Sequence, residues 1–236
     1  MLNDVFGTNI FIMHKNAQSG FWCNGKADYS LLIGKKAQLP SAASKLQKEF
    51  NFSFDQLKQL FILPHKVTVE PYVRAFQYKV LNSILYTNSK LYKIGYSQHD
   101  LCTFCTSHPE KLNHLVLYSC PCSKAFWNDF EVFRFSATLK KINFIRQDFI
   151  VGVLLRSCSL LNYLLLIAKI YLWDCRRNQS HPNINGFKAK ILIKYETENY
   201  IGRINKKMEL LREKLVKLVN FSFSVNNVMY ISNIVM

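Results

Sequence analysis

The sequence predicts a mainly α-helical fold: an irregular helical bundle that carries a small cysteine-rich insertion and ends in a long basic helix. The first observation is that apolar residues recur at helical spacing, as Phe76, Val80 and Ile84 do. The second is a mostly apolar run at residues 160–177, which is typical of a buried helix. The third is the polar, lysine-rich stretch at residues 185–219, which has the length and composition of an exposed helix.

Two short helices are predicted near the start of the patterned chain, at residues 41–50 and 53–63. Ser53 is placed to cap the second helix and Pro64 to end it, because proline cannot donate the next backbone hydrogen bond. Thr68 is a candidate N-cap for the helix that follows. These signals predict that the bundle begins with consecutive helices.

The patterning divides the chain into four segments. They are a loop-rich N-terminal segment (1–52), a helical region (53–134) containing the cysteine-rich insertion (102–122), a basic helical C-terminal region (135–219) and a tail (220–236). The connection at residues 143–153 is predicted to be a strand or irregular chain.

Residues 150–173 are apolar enough to raise the question of a membrane span, for which about 20 residues suffice. Arg156 and Lys169 interrupt the run, and a charged residue near the middle of a span costs about 3 kcal/mol. A strand or turn up to Arg156, followed by a buried helix from Leu160, is the better interpretation. We therefore expect no membrane association.

Charge and cysteine content restrict the class of protein. The 236 residues include 31 Lys and Arg against 15 Asp and Glu, which gives a net charge of +16. Such an excess is typical of proteins that bind nucleic acid, an anionic membrane or an acidic partner, although a lysine-rich protein without such a partner is the alternative. The odd number of cysteines, seven, and the absence of a signal-peptide pattern predict a reducing intracellular location, nucleus or cytoplasm.

The cysteine-rich insertion has the composition of a metal site, because Zn²⁺ prefers thiolate and imidazole ligands in four-coordinate geometry. Cys122 is one candidate for the fourth ligand, but an unbroken helix would place it about 12 Å from His114, against about 9 Å for Cys120. A helix break before Pro121 would bring Cys120 to the site with the smaller distortion. The insertion is therefore interpreted as a zinc knuckle, with ordinary buried thiols as the alternative. The predicted ligands are Cys102, Cys105, His114 and Cys120.

The residues around this insertion carry a family resemblance. They include Leu101-Cys-Thr-Phe-Cys105, His114-Leu115, Ser119-Cys-Pro121 and Ala125-Phe-Trp-Asn128. These motifs resemble the zinc-binding module that follows the polymerase domain in the reverse transcriptases of non-LTR (LINE-type) retrotransposons. Weaker similarity extends over about residues 53–217. Five residues separate His114 from Cys120, where the family usually has four.

The resemblance implies a zinc-bound region that accompanies a polymerase and an endonuclease. In that family the region helps to hold template RNA or target DNA during target-primed reverse transcription. Two-metal phosphoryl transfer requires clustered carboxylates, and this sequence lacks the paired aspartates of a polymerase. Its isolated aspartates include Asp55, Asp100, Asp129, Asp148 and Asp174. We therefore expect a non-catalytic chain without a small-molecule substrate.

The expected function is binding of RNA or DNA through contacts with the phosphate backbone. The expected contacts are Arg176, Arg177, Lys188, Lys190, Lys194, Lys206, Lys207, Lys214 and Lys217. Tyr195 and Tyr200, which lie between these charges, could stack on unpaired bases. Two alternatives remain: a protein-interaction adaptor that docks through an apolar stripe including Ile201 and Ile204, and a decayed retrotransposon fragment without activity.

Overall fold

A computed structural model describes residues 41–116, 119–138, 145–154 and 158–205. Within these residues the chain forms nine α-helices and one isolated β-bridge, which confirms the prediction of a mainly α-helical fold. The helices are α1 (Ser41–Phe50), α2 (Phe54–Val67), α3 (Pro71–Leu81), α4 (Asn88–Lys93), α5 (Leu112–Val116), α6 (Pro121–Thr138), α7 (Arg146–Val151), α8 (Ser159–Arg177) and α9 (Ile184–Ile204).

Helix α8 is the centre of the fold, and it contacts α2, α3, α5, α6 and α9. All of its residues from Leu161 to Trp173 are buried, as the apolar run in the sequence predicts. Aromatic rings from α6 and α9 pack beside it, with the ring centroids of Phe126 and Phe187 5.6 Å apart. A continuous hydrophobic cluster therefore joins helices from both the cysteine-containing region and the basic C-terminal region.

The buried cation of α8, Lys169, is held by neutral acceptors. Its Nζ donates to Oε1 of Gln77 at 2.6 Å and to the carbonyl of Ile150 at 2.9 Å, which ties α8 to α3 and α7. Burial lowers the pKa of Lys169 to about 7, because the charged form loses its hydration. Among the described residues, no helix combines the length and the apolar character that crossing a membrane requires.

The prediction that Pro64 ends the second helix is wrong. Helix α2 continues to Val67, and the backbone N–H of Thr68 donates to the carbonyl of Pro64 at 3.0 Å. Pro64 and Val67 are both buried, so their packing offsets the hydrogen bond that proline cannot donate. The predicted N-cap is present, since Ser53 Oγ accepts from the backbone N–H of Gln56 at 3.2 Å.

Thr68 does not cap α3, contrary to the prediction. It follows the end of α2 in an extended conformation, and Glu70 occupies the N-cap position of α3. The hydroxyl of Thr68 donates instead to the buried carboxylate of Glu198 in α9. The same hydroxyl accepts from the backbone N–H of Glu70 at 3.1 Å, so Thr68 joins the start of α3 to a distant helix without being its N-cap.

The connection predicted as a strand or irregular chain contains the short helix α7. Its first turn is fixed by Asp148, whose carboxylate accepts from the backbone N–H of Ile145 at 3.0 Å. After α7 the side chain of Asn162 bonds both backbone groups of Val153, at 2.7 Å each. Because this amide bonds the backbone N–H and C=O of Val153, these groups need no partner strand.

Candidate metal centre

The first two thiols lie on a tight hairpin between α4 and α5. Leu101 and Pro109 form an antiparallel bridge, and the backbone N–H of Cys102 donates to the carbonyl of His108 at 2.8 Å. The N–H of Thr106 returns to the carbonyl of Cys102 at 2.9 Å, which closes a turn around Cys105. This turn places both sulfur atoms on the same side of the hairpin, as a metal knuckle requires.

Two hydrogen bonds fold α6 back on α5 and so bring the other two ligands together. The last carbonyls of a helix have no partner within it, and here two of them accept from α6. Ser123 Oγ donates to the carbonyl of Leu115 at 2.6 Å, and Trp127 Nε1 donates to the carbonyl of Val116 at 2.7 Å. Ser119 and Cys120, directly before α6, are not helical, so the helix breaks before Pro121, as the sequence predicts.

The four predicted ligands converge on one point. Their ligand atoms all lie within 4.8 Å of one another. Cys105 Sγ is 3.3 Å from His114 Nε2, and Cys102 Sγ is 4.0 Å from Cys120 Sγ. Bonds of about 2.3 Å to a tetrahedral ion would separate two sulfur atoms by about 3.8 Å. The cluster therefore has dimensions close to those of a zinc site.

Two nearby residues that could also bind a metal, Cys122 and His108, are not members of the cluster. Cys122 Sγ lies 3.6 Å from the carbonyl oxygen of Phe104, to which the thiol donates, and it is not a member of the four-residue cluster. His108 is exposed, and its ring centroid is 5.6 Å from that of His114. The geometry thus favours Cys120 as the fourth ligand.

The electrostatics of the cluster favour one preformed thiolate. The hydrogen bond with Cys102 lowers the pKa of Cys120 to about 4, against the opposing effect of burial, and backbone N–H groups at the start of α6 add to the lowering. The same hydrogen bond, together with burial, raises the pKa of Cys102. Because metal ions bind thiolates, the site is partly prepared for one by the fold itself.

A comparison with known families agrees with this geometry. Residues 47–127 match the family model described as zinc-binding in reverse transcriptase. The matched segment extends from α1 into α6 and contains all four clustered residues. No curated protein and no solved structure matches the chain.

A buried carboxylate, Glu110, supports the hairpin of the matched segment. One oxygen accepts from the backbone N–H of Asn88 and from Nε of Arg176, each at 2.9 Å. The other accepts from the N–H of Thr103 at 2.9 Å and from its hydroxyl at 2.6 Å. Glu110 thereby joins the hairpin to α4 and α8. Sequence reasoning missed it, since its charged partner Arg176 lies 66 residues away and no local pattern signals the pair.

Two of the expected nucleic-acid contacts are used inside the fold. Arg176 is bound to Glu110, and its guanidinium lies 4.7 Å from the ring centroid of Trp173. Lys194 is buried and forms an ion pair with Glu70. Because their charges are compensated by buried carboxylates, we leave Arg176 and Lys194 out of the candidate nucleic-acid surface.

The other expected nucleic-acid contacts within the described residues are closer to solvent. Arg177 and Lys190 share the carboxylate of Asp174, at 2.9 and 2.7 Å, and the side chain of Arg177 stays exposed. Lys188 is partly exposed, with Nζ 5.8 Å from the ring centroid of Phe133. Four further expected contacts lie outside the described residues: Lys206, Lys207, Lys214 and Lys217.

The two tyrosines of α9 that were expected to stack on bases differ in environment. Tyr200 is exposed, whereas Tyr195 is partly buried against Val69. The two apolar residues through which an adaptor would dock also differ. Ile201 packs on Val69, whereas Ile204 is exposed. Within the described residues, α9 therefore presents only part of the surface that its sequence suggested.

Proposed function

We propose that this chain is a zinc-stabilised, non-catalytic, nucleic-acid-binding region from the C-terminal part of a LINE-type reverse transcriptase. The observation that carries the proposal is the coincidence of two findings in one segment. Residues 47–127 match a reverse-transcriptase zinc-binding family, and their three thiols and one imidazole lie within 4.8 Å of one another. Each finding supports the other, since the family match rests on sequence and the cluster on geometry.

Zinc would be held by Cys102, Cys105, His114 and Cys120 and would act as a structural ion. The thiols and the imidazole supply all four positions of a tetrahedral site, which leaves none open for substrate. The hairpin contributes Cys102 and Cys105, α5 contributes His114, and the turn before α6 contributes Cys120. The ion would therefore hold the hairpin, α5 and the turn before α6 together.

Nucleic-acid binding is supported by the charge of the chain and by the cations that remain accessible. A net charge of +16 favours polyanions, and phosphate contacts need no particular base sequence. Arg177, Lys188 and Lys190 are the accessible members among the expected contacts within the described residues. RNA or DNA would be held through its backbone at this side of α8 and α9.

The proposal assigns no chemistry to the chain. Polymerase chemistry places two metal ions between clustered carboxylates. In the described chain Asp174 is committed to Arg177 and Lys190, and the carboxylate of Asp148 accepts the backbone N–H of Ile145. These two carboxylates thus serve local structure.

The test is a salt titration of the purified, zinc-loaded chain with single-stranded RNA and duplex DNA. We expect affinity to fall steeply with salt, with a log–log slope of about 0.7 to 0.9 per phosphate contacted. Replacing Lys206, Lys207 and Lys214 together by Gln should weaken binding of all sequences alike and reduce the slope.

The matched control removes the same number of charges from α1 and α2, at the exposed residues Lys48, Lys58 and Lys66. We expect the control to retain most of the affinity. A folded, zinc-loaded chain that binds no nucleic acid at low salt would contradict the proposal and favour the adaptor or the decayed fragment.

A further inference from the structure

A second candidate surface lies on α4 and the turns beside it. Three tyrosines project there: Tyr86 is 63% exposed, Tyr92 52% and Tyr96 84%. Lys93 is exposed between them. We call these four residues the α4 surface. Large rings so exposed and so close in sequence are unusual on a protein surface unless they meet a partner.

The backbone fixes these rings in place. Helix α4 ends at Lys93, and two residues later Gly95 has a φ of 74°, which only glycine adopts readily. The N–H of Tyr96 then donates to the carbonyl of Leu91 at 2.8 Å, a tight helix-ending turn. On the opposite side, Leu85 and Ser89 are buried. The exposed rings therefore belong to an ordered element with its own buried face.

The α4 surface is also anchored to the zinc knuckle. Asn88 begins α4, and its side-chain Nδ2 donates to the carbonyl of Leu101 at 2.8 Å. Its backbone N–H donates to Glu110, and its Oδ1 accepts from Arg176 at 2.7 Å. The hairpin that carries Cys102 and Cys105 thus sets the position of α4.

The segment that carries these rings is basic, and the first acidic residue after it is the partly exposed Asp100. Residues 71–99 contain no aspartate or glutamate, but they contain Arg74, Lys79, Lys90 and Lys93. Arg74 and Lys90 donate to backbone carbonyls, whereas Lys79 and Lys93 are exposed. Exposed aromatic rings beside exposed cations are the combination that binds unpaired bases and their phosphates.

We propose that the α4 surface binds single-stranded nucleic acid, with Tyr86, Tyr92 and Tyr96 stacking on bases and Lys93 facing the phosphates. This inference rests on the proposed function and adds to it a second contact surface and a substrate class. Duplex bases are already stacked inside the helix, so these rings distinguish single strands from duplexes. Lysine is depleted from protein–protein interfaces, so Lys93 among the rings favours nucleic acid over a protein as occupant, even with Ile94 64% exposed beside them.

The experiment compares the full zinc-loaded chain with a Tyr92→Ala, Tyr96→Ala double variant. The probes are a short single-stranded RNA without self-complementarity and a DNA duplex of the same length. We expect the double variant to bind the single strand at least about tenfold more weakly, because each lost stack is worth about 1–3 kcal/mol. Duplex affinity should change less than about twofold, since charge contacts are kept.

Two further variants make the result specific. Tyr92→Phe with Tyr96→Phe keeps the rings and should restore single-strand binding, which a hydrogen-bonding role of the hydroxyls would not. Phe54→Ala removes a ring that is as exposed as Tyr86, at 63%, on the first turn of α2, and should leave both affinities unchanged.

Failure of this inference is distinguishable from failure of the proposed function. If the parent chain binds neither probe, the proposed function fails and this inference with it. If the parent binds the single strand and the alanine variant binds it equally well, the inference alone is overturned, and the rings have another occupant such as a protein. Equal losses for single strand and duplex would also overturn stacking as the mechanism.

Discussion

The cysteine-rich segment and the C-terminal helices α8 and α9 represent two opposite relations between sequence and structure. In the first, residues that the sequence groups together are together in space: four ligand atoms lie within 4.8 Å. In the second, cations that are neighbours in the sequence have different environments in the fold. Arg176 and Lys194 bind buried carboxylates, while Arg177 is exposed. The comparison teaches that ligand spacing predicts geometry better than charge content does.

The difference has two physical reasons: how far each side chain can reach and how many kinds of partner it accepts. A zinc site accepts few ligand types at one bond length, so a short spacing leaves few arrangements. A lysine or arginine has a long flexible side chain that can pair with any carboxylate that the fold brings near. Arg176 reaches Glu110 across 66 residues of sequence, and Lys194 reaches Glu70 across 124. No local sequence pattern near Arg176 or Lys194 predicts these carboxylate partners.

The largest expected effect comes from removing the metal. A structural zinc contributes on the order of 10 kcal/mol to the folding of a small site. Chelation should therefore remove hydrogen-exchange protection from the amides of Cys102 and Thr106, while the buried core of α8 is affected far less. If chelation leaves the exchange of the hairpin amides unchanged, the hairpin does not depend on a metal.

The next largest effect compares a buried ion pair with a surface one. Glu110→Ala leaves Arg176 without its carboxylate and removes bonds to Asn88 and Thr103, so we expect a loss of about 3–5 kcal/mol in the free energy of unfolding. Asp174→Ala removes the pairs to the exposed Arg177 and the partly exposed Lys190 and should cost about 1 kcal/mol for the more exposed pair or slightly more for both. Urea denaturation of both variants measures the difference, and equal losses would contradict the distinction.

A pH dependence follows from the buried cation of α8. The pKa of Lys169 is about 7 in the folded protein, lowered by burial from an ordinary value of 10.5. Between these values the unfolded chain binds more protons at this residue, so its contribution to stability rises with pH, by up to about 1.4 kcal/mol per pH unit. Below pH 7 both states are protonated, and the contribution becomes constant.

Urea denaturation at pH 7, 8 and 9 tests this prediction on the wild type and Lys169→Met. The difference in unfolding free energy should shift in favour of the wild type as pH rises. Lys58→Met, at an exposed position on α2, is the control and should give a constant difference. A constant difference for Lys169→Met as well would mean that its pKa is not lowered.

The smallest effect concerns the fold-back of α6 on α5. Ser123→Ala leaves the buried carbonyl of Leu115 without its donor, so we expect a loss of about 1 kcal/mol and weaker zinc binding. Ser97→Ala removes an exposed hydroxyl that donates to the carbonyl of His99 and should have little effect on either quantity. Competition with a fluorescent zinc chelator compares the affinities. Unchanged zinc affinity in Ser123→Ala would show that this bond does not position the ligands.

Much of the helical fold was predictable, because apolar periodicity records the buried face of each helix directly. Ser53 capped its helix as predicted, since that interaction is local. The prediction for Pro64 was wrong because its burial in the core outweighed its tendency to end a helix. The prediction for Thr68 was wrong because its hydroxyl bonds the distant Glu198. In the candidate site, the four ligands followed from spacing, whereas Glu110 could not, since its role depends on how α4 and α8 approach the hairpin.

The central claim is that one zinc ion is held by Cys102, Cys105, His114 and Cys120. Native mass spectrometry of the purified chain measures it directly, on the wild type and on the Cys120→Ser and Cys122→Ser variants. We expect one zinc per chain in the wild type and in Cys122→Ser, because Cys122 faces the carbonyl of Phe104, and loss of the ion in Cys120→Ser. A wild-type chain without zinc, or a Cys120→Ser variant that retains it while Cys122→Ser loses it, would contradict the account.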